Sequence, residues 1–85
     1  MRDLSKWITY AAEALADRAL EDPAYAPDGA LDDWQAELFA ADYLSTYYYG
    51  WSVLTLTERA DAVFTACNGA HRILRDWAEA TSEFV

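Results

Sequence analysis

The chain has few of the residues that proteins use for metal binding, catalysis or crosslinking. Its 85 residues contain one cysteine, Cys67, and one histidine, His71. A lone cysteine cannot form an internal disulfide, and two possible ligands are too few for a zinc site. Asp28, Asp32 and Asp33 do not form a calcium-binding loop, because the glycine and the further oxygen ligands are not at the positions that such a loop requires. We therefore expect no metal, no cofactor and no enzymatic activity.

Basic residues are also scarce. Six lysines and arginines stand against 15 aspartates and glutamates, which gives a formal net charge of -9. Such a chain lacks the cations that neutralise phosphates, so we expect neither direct nucleic-acid binding nor attachment to an anionic membrane. Because 54% of the residues are hydrophobic, burial should outweigh the repulsion among the charges, and we expect a folded domain.

Long apolar runs are absent as well. The longest stretch without a charged residue, 43–57, includes several serines and threonines and is shorter than the roughly 20 apolar residues of a membrane-spanning helix. Charged residues near the start interrupt the apolar segment that a signal peptide requires. We therefore expect a cytoplasmic protein without a transmembrane segment.

Scarce glycine and proline together with abundant alanine favour helices over strands. Apolar residues recur three or four positions apart in three segments, which predicts helices over about 4–21, 32–48 and 56–83. We expect residues 1–85 to form a single all-α domain, a small antiparallel bundle of three helices. The pair Asn68 and Gly69 is a common stop signal, so a fourth helix would result if the last segment broke near Gly69.

Local signals mark where each predicted helix starts and stops. The starting residues are Asp3 or Ser5, then Asp32 with Gln35 in a capping box, then Thr55 with Glu58 in a second box. Pro23 and Pro27 should end the first helix, and Gly50 is expected to adopt a left-handed conformation just after the second. Residues 51–54 should form a connector, for which a helical turn is one option. The alternation of polar and apolar residues over 52–56 also fits a short strand, although a lone strand would have no partner.

The spacing also predicts which side chains are buried. On the second helix, one face consists of Trp34, Leu38, Ala41, Ser45 and Tyr48, and another of Phe39, Tyr43 and Tyr47. On the third helix, a regular seam runs through Leu56, Ala60, Val63, Cys67, Ala70, Leu74, Trp77, Thr81 and Phe84. By register, the core is expected to hold Trp7, Trp34, Phe64, Trp77 and Phe84.

Cys67 lies on this seam, with His71 one helical turn later. A cysteine nucleophile needs a neighbouring base, which His71 at this spacing can supply. Free cysteine is, however, among the most buried residue types. We interpret Cys67 as a structural core residue.

The acidic residues form the most informative pattern. No lysine or arginine occurs between Ala19 and Thr57, where many acids precede a run of aromatic residues. The pattern fits a solvated face beside aromatic residues that close the bundle, or a surface that meets a basic partner through tyrosine and tryptophan anchors. We predict the second. The partner-binding residues would be Asp28, Asp32, Asp33, Glu37, Asp42, Tyr43, Tyr47, Tyr49 and Trp51.

In size, charge and composition the whole chain resembles small acidic inhibitors that occupy nucleic-acid-binding surfaces, among them phage anti-CRISPR proteins and other DNA mimics. The resemblance implies a non-enzymatic inhibitor that binds the basic surface of a nucleic-acid-binding protein or complex, such as a CRISPR effector. It would exclude the substrate by competition, in the host cytoplasm if a phage encodes it. These families share no common motif, so no functional residue is carried over.

Two other functions fit the sequence. Tyr47, Tyr48, Tyr49 and Gly50 are similar to the paired tyrosines of bacteriocin immunity proteins and to the Tyr-Tyr-Gly segment of barstar-like inhibitors. That similarity implies an immunity protein or antitoxin for a nuclease. The regular seam of the third helix also fits a structural assembly subunit that pairs with itself. The chain is accordingly expected to be a monomer or a homodimer.

Overall fold

The three segments with helical periodicity are helices in the computed structural model, which describes residues 3–27 and 30–82. Helix α1 spans Leu4–Glu21, α2 spans Asp33–Tyr47 and α3 spans Leu56–Ser82. A 3-10 turn, Pro23–Tyr25, follows α1, and another, Trp51–Val53, joins α2 to α3. The predicted all-α bundle is confirmed, and the predicted bounds of α1 and α2 agree with the structure to within one residue.

Side-chain caps start α1 and α3 where the sequence predicted them. The backbone N–H of Lys6 donates to Asp3 Oδ1 at 3.2 Å. At α3 the capping box is complete: the N–H of Glu58 donates to Thr55 Oγ1 at 3.1 Å, and the N–H of Thr55 donates to Glu58 Oε1 at 2.8 Å. These bonds satisfy backbone donors that lack partners at a helix start.

The capping box expected at α2 is only half formed. The N–H of Gln35 donates to Asp32 Oδ2 at 3.0 Å. The backbone N–H of Asp32 donates instead to the carbonyl oxygen of Tyr25, at 2.8 Å. Asp32 therefore ties the start of α2 to the 3-10 turn that follows α1.

Gly50 does not adopt the left-handed conformation that the sequence predicted. Its φ is −91° and its ψ is 12°, a conformation open to other residues. Glycine is favoured here for a different reason, because a Cβ at this position would lie 3.1 Å from the ring of the buried Tyr48. The chain then enters Trp51–Val53, the predicted helical turn.

Small side chains dominate the core. Leu15 and Leu44 are its largest fully buried side chains. Most of the other buried residues are alanines: Ala11, Ala12, Ala16, Ala19, Ala36, Ala40, Ala62, Ala66 and Ala70. Helices that meet through alanine approach closely because no long side chain separates their backbones. Larger residues such as Trp7, Phe39 and Leu74 are half-buried around this alanine core.

Helix α3 continues through Asn68 and Gly69 without a break. A Cβ at Gly69 would lie 3.0 Å from the Cβ of Ala12, closer than the optimum of about 3.5–4.0 Å between carbon atoms. Gly69 thus marks a close approach of α1 and α3, and its function in the fold is contact between helices rather than termination of one.

Helices α2 and α3 run antiparallel. Asp33, at the start of α2, contacts His71 in the second half of α3 at 3.3 Å. Further along α2, Ala41 lines the same groove as Val63, which is near the start of α3. The groove between these two helices is therefore lined by α2 from Trp34 to Ala41 and by the first part of α3.

Three large residues that the sequence assigned to the core are mostly exposed. Trp34 is 68% exposed, Phe64 is 64% exposed and Trp77 is 51% exposed. The alanines bring the helices too close together for aromatic rings to fit between them. These core predictions are wrong; Trp7 is half-buried, as is typical of a residue at the edge of the core, and Phe84 lies outside the described residues.

The buried stripes of α2 and α3 also differ from those predicted. On α2 the buried stripe is Ala36, Ala40 and Leu44, followed by Tyr48, whereas Leu38 and Ser45 are exposed. On α3 the predicted seam residues Cys67 and Ala70 are buried, but Leu56 and Ala60 are exposed, and Ala62 and Ala66 are buried in their place. In both helices a stripe of small residues, rather than the bulkier one, faces the core.

Candidate protein-interaction surface

An open groove of about 600 Å³ lies between α2 and α3. Trp34 and Leu38 of α2 line it, together with Phe64 of α3 and Trp51 of the connecting turn. Trp34, Leu38 and Phe64 are each more than half exposed. A contiguous exposed apolar surface of this kind is typical of a site that binds another molecule.

The groove is apolar because of how α2 is rotated. Ala36, Ala40 and Leu44 are buried, which places Trp34 and Leu38 beside the core rather than in it. Large side chains next to an alanine seam project outward on both sides of the helix pair. Trp34 and Phe64, which were expected in the core, therefore form part of the walls of the groove.

The walls of the groove also carry acidic residues. Glu37 of α2 and Asp61 of α3 are among the lining residues. Asp33 lies one turn before Glu37 on α2, with 84% of its side chain exposed. Among the described residues, no ion pair engages Glu37 or Asp61. These carboxylates are available to a cationic partner.

The negative potential of these acids extends to the buried thiol of Cys67. Burial, with smaller contributions from Glu37 and Asp33, raises the pKa of Cys67 to about 11. A thiol with so high a pKa holds its proton at neutral pH and is a poor nucleophile. The interpretation of Cys67 as a buried structural residue is confirmed by its position in the core.

His71 is directed toward α2. Its Nε2 lies 3.3 Å from Asp33 Oδ1, so a histidine with a proton on Nε2 donates a hydrogen bond to this carboxylate. The histidine therefore links the second half of α3 to the start of α2. If His71 acted as a base for Cys67 through Nε2, that nitrogen would have to leave its contact with Asp33.

Arg59 contributes a cation to the lining, but its donors are turned to the connecting turn. Its Nε donates to the carbonyl oxygen of Trp51 at 3.1 Å, and its Nη2 donates to the carbonyl oxygen of Ser52 at 3.0 Å. Its guanidinium carbon lies 5.7 Å from the centre of the Trp51 ring, within range of a cation–π interaction. Arg59 thus fixes the connecting turn against α3 and holds Trp51 at the groove.

The structure divides the predicted partner-binding residues between two sides of α2. On the α3 side lie Asp33, Glu37 and Trp51. On the other side Asp42, Tyr43 and Tyr47 line a depression of about 290 Å³ with Arg18 of α1. Asp32 caps α2, Tyr49 is 91% exposed in the turn after α2, and Asp28 lies outside the described residues. The described members therefore lie on both sides of α2 and at its two ends.

The tyrosines on the α1 side form part of a row of aromatic rings. Phe39 and Tyr43 are stacked at 6.3 Å between ring centres, and Tyr43 and Tyr47 are 4.7 Å apart. Tyr25 meets Phe39 edge-on at 6.1 Å. Burial, followed by Tyr47, Tyr10 and Glu13, raises the pKa of Tyr43. This row mainly covers the junction of α1 and α2. Its position fits the alternative in which these aromatic residues close the bundle rather than bind a partner.

Sequence reasoning missed Leu38, Phe64 and Asp61 as surface residues of one groove. A signal for part of it was present in the spacing of Ala36, Ala40 and Leu44, which places apolar residues on one stripe of α2 at helical period. Phe64 and Asp61 join the groove only through the packing of α3 on α2. Their position depends on a contact between distant segments, for which the chain has no local pattern.

Within residues 3–27 and 30–82, no group of three histidine, cysteine or acidic side chains is placed to hold a metal ion. In the same part of the chain, no helix has the length and apolar character needed to cross a bilayer.

Comparison of the chain with protein-family models, curated proteins and solved structures found no match. Its function is therefore inferred from its own residues and their geometry.

Proposed function

We propose that the chain is a non-enzymatic acidic inhibitor, of the anti-CRISPR kind, that binds a basic nucleic-acid-binding surface of a defence complex. By occupying that surface it excludes the nucleic acid. One observation carries the proposal: exposed carboxylates, Glu37 and Asp61, border an exposed apolar groove without an ion-pair partner among the described residues.

The placement of the acids supports binding to a basic surface. Asp33 and Glu37 lie one turn apart on α2 and are both exposed, and like charges at this spacing destabilise an isolated helix by about 0.2–0.5 kcal/mol. A basic partner would relieve that repulsion and would be attracted by the net charge of -9. Charge complementarity of this kind mainly increases the association rate and the specificity of a complex.

The aromatic side chains beside the acids support a stable complex rather than a transient one. Tryptophan is among the residue types that most often dominate binding free energy. Trp34 and Trp51 both line the groove, so an apolar side chain of the partner would be buried next to the carboxylates.

The experiment captures the partner and then tests competition. Immobilised protein is exposed to a host cell lysate at increasing salt, and a captured nucleic-acid-binding protein is identified and purified. We expect capture to weaken by several hundred millimolar salt, because surface charges are screened within about 3–10 Å there. Added chain should then release nucleic acid from the purified partner.

A matched pair of variants tests the position of the binding surface. Asp33→Asn with Glu37→Gln removes two exposed acids one turn apart on α2, and Glu13→Gln with Asp17→Asn removes two exposed acids at the same spacing on α1. Only the α2 pair of substitutions should weaken both the capture of the partner and the release of nucleic acid from it. Equal loss with both pairs would mean that overall charge, rather than this surface, determines binding.

A further inference from the structure

We infer that the α2–α3 groove binds one cationic amphipathic helix of the partner protein. Apolar side chains of that helix would enter the groove, and its lysines and arginines would lie over the acidic walls. The inference rests on the proposed function and specifies which element of the partner is recognised.

The dimensions of the groove fit the apolar stripe of a helix. On α2 the lining extends from Trp34 to Ala41, a distance of about 10 Å at the helical rise of 1.5 Å per residue. Apolar residues at i, i+3 or i+4, and i+7 of a bound helix span the same distance.

The arrangement of charge specifies the rest of the ligand. Glu37 lies on one wall of the groove and Asp61 on the other, so a helix between them meets a carboxylate on each side of its apolar stripe. Arg59, the cation in the lining, has its guanidinium donors bonded to the carbonyl oxygens of Trp51 and Ser52. A helix with lysine or arginine flanking its apolar stripe is therefore the complementary partner.

A second copy of the chain is a poorer occupant. In a two-fold dimer through this groove, the same surface patch would meet itself. Glu37 and Asp61 of one copy would then lie against the same acidic walls of the other, with each copy carrying a net charge of -9. Like charges brought together in this way oppose association.

Three synthetic peptides of about 15 residues, a length at which a helix can form, test the inference by fluorescence anisotropy at physiological salt. The first places leucines at helical spacing among lysines, the second scrambles the same residues so that no apolar face forms, and the third replaces its lysines with glutamates. We expect one-to-one binding of the first peptide, at least about tenfold tighter than the second, which is about 1.4 kcal/mol. We expect no binding of the third.

Variants then locate the bound peptide. Phe64→Ala and Trp34→Ala should each weaken binding at least about 30-fold, the change that corresponds to the 2 kcal/mol of a central interface residue. Tyr10→Ala and Leu20→Ala remove exposed apolar side chains of α1, outside the groove, and should change affinity by less than about twofold. Because all four side chains are exposed, circular dichroism melts should confirm that every variant folds.

A charge series supplies an independent readout that keeps all aromatic rings. Glu37→Gln and Asp61→Asn should each weaken binding of the first peptide and lower the salt dependence of its affinity. Asp17→Asn, an exposed acid on α1, should leave both nearly unchanged.

Three results would overturn the inference: equal binding of the ordered and scrambled peptides, full affinity in Phe64→Ala and Trp34→Ala, or a dimer of the free chain that Phe64→Ala dissociates. Nucleic-acid release by the same variants separates this inference from the proposed function. If Phe64→Ala releases nucleic acid from the partner as well as the unaltered chain does, the helix-binding groove is wrong and the inhibitory function stands. If the peptide binds the groove but the chain releases no nucleic acid, the inhibitory function is wrong.

Discussion

Replacing Gly69 with alanine tests the close contact between α1 and α3. The new Cβ would lie 3.0 Å from the Cβ of Ala12, whereas carbon atoms pack best at about 3.5–4.0 Å. The Ala12 methyl group is attached directly to the backbone and cannot rotate away. The two helices would therefore have to separate by a few tenths of an ångström.

Two opposing terms set the size of the effect. Alanine is favoured over glycine inside a helix by about 1 kcal/mol, and overpacking a well-packed core costs about 1–3 kcal/mol. Gly69 lies within an interface of alanines that all depend on the same helix separation, among them Ala66 and Ala70 on α3. The overpacking term should therefore win, and Gly69→Ala should lower the free energy of unfolding by about 1 kcal/mol, the difference of the two terms.

A double-mutant cycle with Ala12→Gly isolates the contact. In the Ala12→Gly background the opposing methyl group is gone, so Gly69→Ala should stabilise the fold by about 1 kcal/mol through helix propensity alone. Denaturant unfolding of the four proteins, followed by circular dichroism, should give a coupling free energy of about 1–3 kcal/mol between the two positions. If Gly69→Ala stabilises the chain equally in both backgrounds, the close approach of α1 and α3 is refuted.

Three other predictions concern the capping box, the core and the thiol. Thr55→Ala should lower the free energy of unfolding by about 1 kcal/mol because it removes a capping bond, whereas the exposed Thr57→Ala should not; equal melting temperatures of the two variants would contradict the cap. Leu44→Ala should cost about 2–5 kcal/mol by leaving a cavity, and the exposed Leu38→Ala far less; a small effect at Leu44 would mean that the site is not in the core. Cys67 should react slowly with a thiol reagent in the native chain and rapidly in denaturant. The free energy of unfolding should also fall as pH rises from the ordinary thiol pKa of 9.0 toward about 11, because the unfolded chain loses the thiol proton first. Cys67→Ala should reduce this fall. If the variant shows the same pH dependence as the unaltered chain, the result would argue against a buried, protonated thiol.

The helices and most of their starts could be predicted because their signals are local. Asp3 and the Thr55–Glu58 pair act on backbone groups three residues away, so the residues that make each cap are adjacent in the sequence. The continuity of α3 through Gly69 followed from the unbroken spacing of apolar residues. Local conformation at Gly50 could not be predicted, because the ring of Tyr48 rather than backbone preference favours glycine there.

The side of each helix that faces the core was harder to predict, because two stripes share the same period. On α2 the bulky stripe with Trp34 and Leu38 has more apolar surface than the stripe with Ala36 and Ala40. Hydrophobicity alone favours the bulky stripe, but Ala36 and Ala40 are the residues of α2 that are buried in the core. The choice depends on contacts between distant segments, and so does the groove that results.

The predicted partner-binding residues lie on two sides of α2. Asp33 and Glu37 are exposed, as an acidic binding surface requires, and lie on the α3 side of α2. Asp42, five positions after Glu37, is rotated to the α1 side. Five residues turn an α-helix by about 1.4 turns, which places Glu37 and Asp42 on different sides of α2. The spacing alone therefore predicts this division. The partner and the oligomeric state stay predictions.

Titration of the chain into a complex of labelled nucleic acid and the captured partner tests the proposed inhibition most directly. Fluorescence anisotropy of the nucleic acid should fall to its free value near one equivalent of chain. The Glu37→Gln, Asp61→Asn variant should need a higher concentration, and the Glu13→Gln, Asp17→Asn control should match the unaltered protein. Anisotropy that stays at the bound value, or rises as a ternary complex forms, would contradict an inhibitor that excludes nucleic acid by competition.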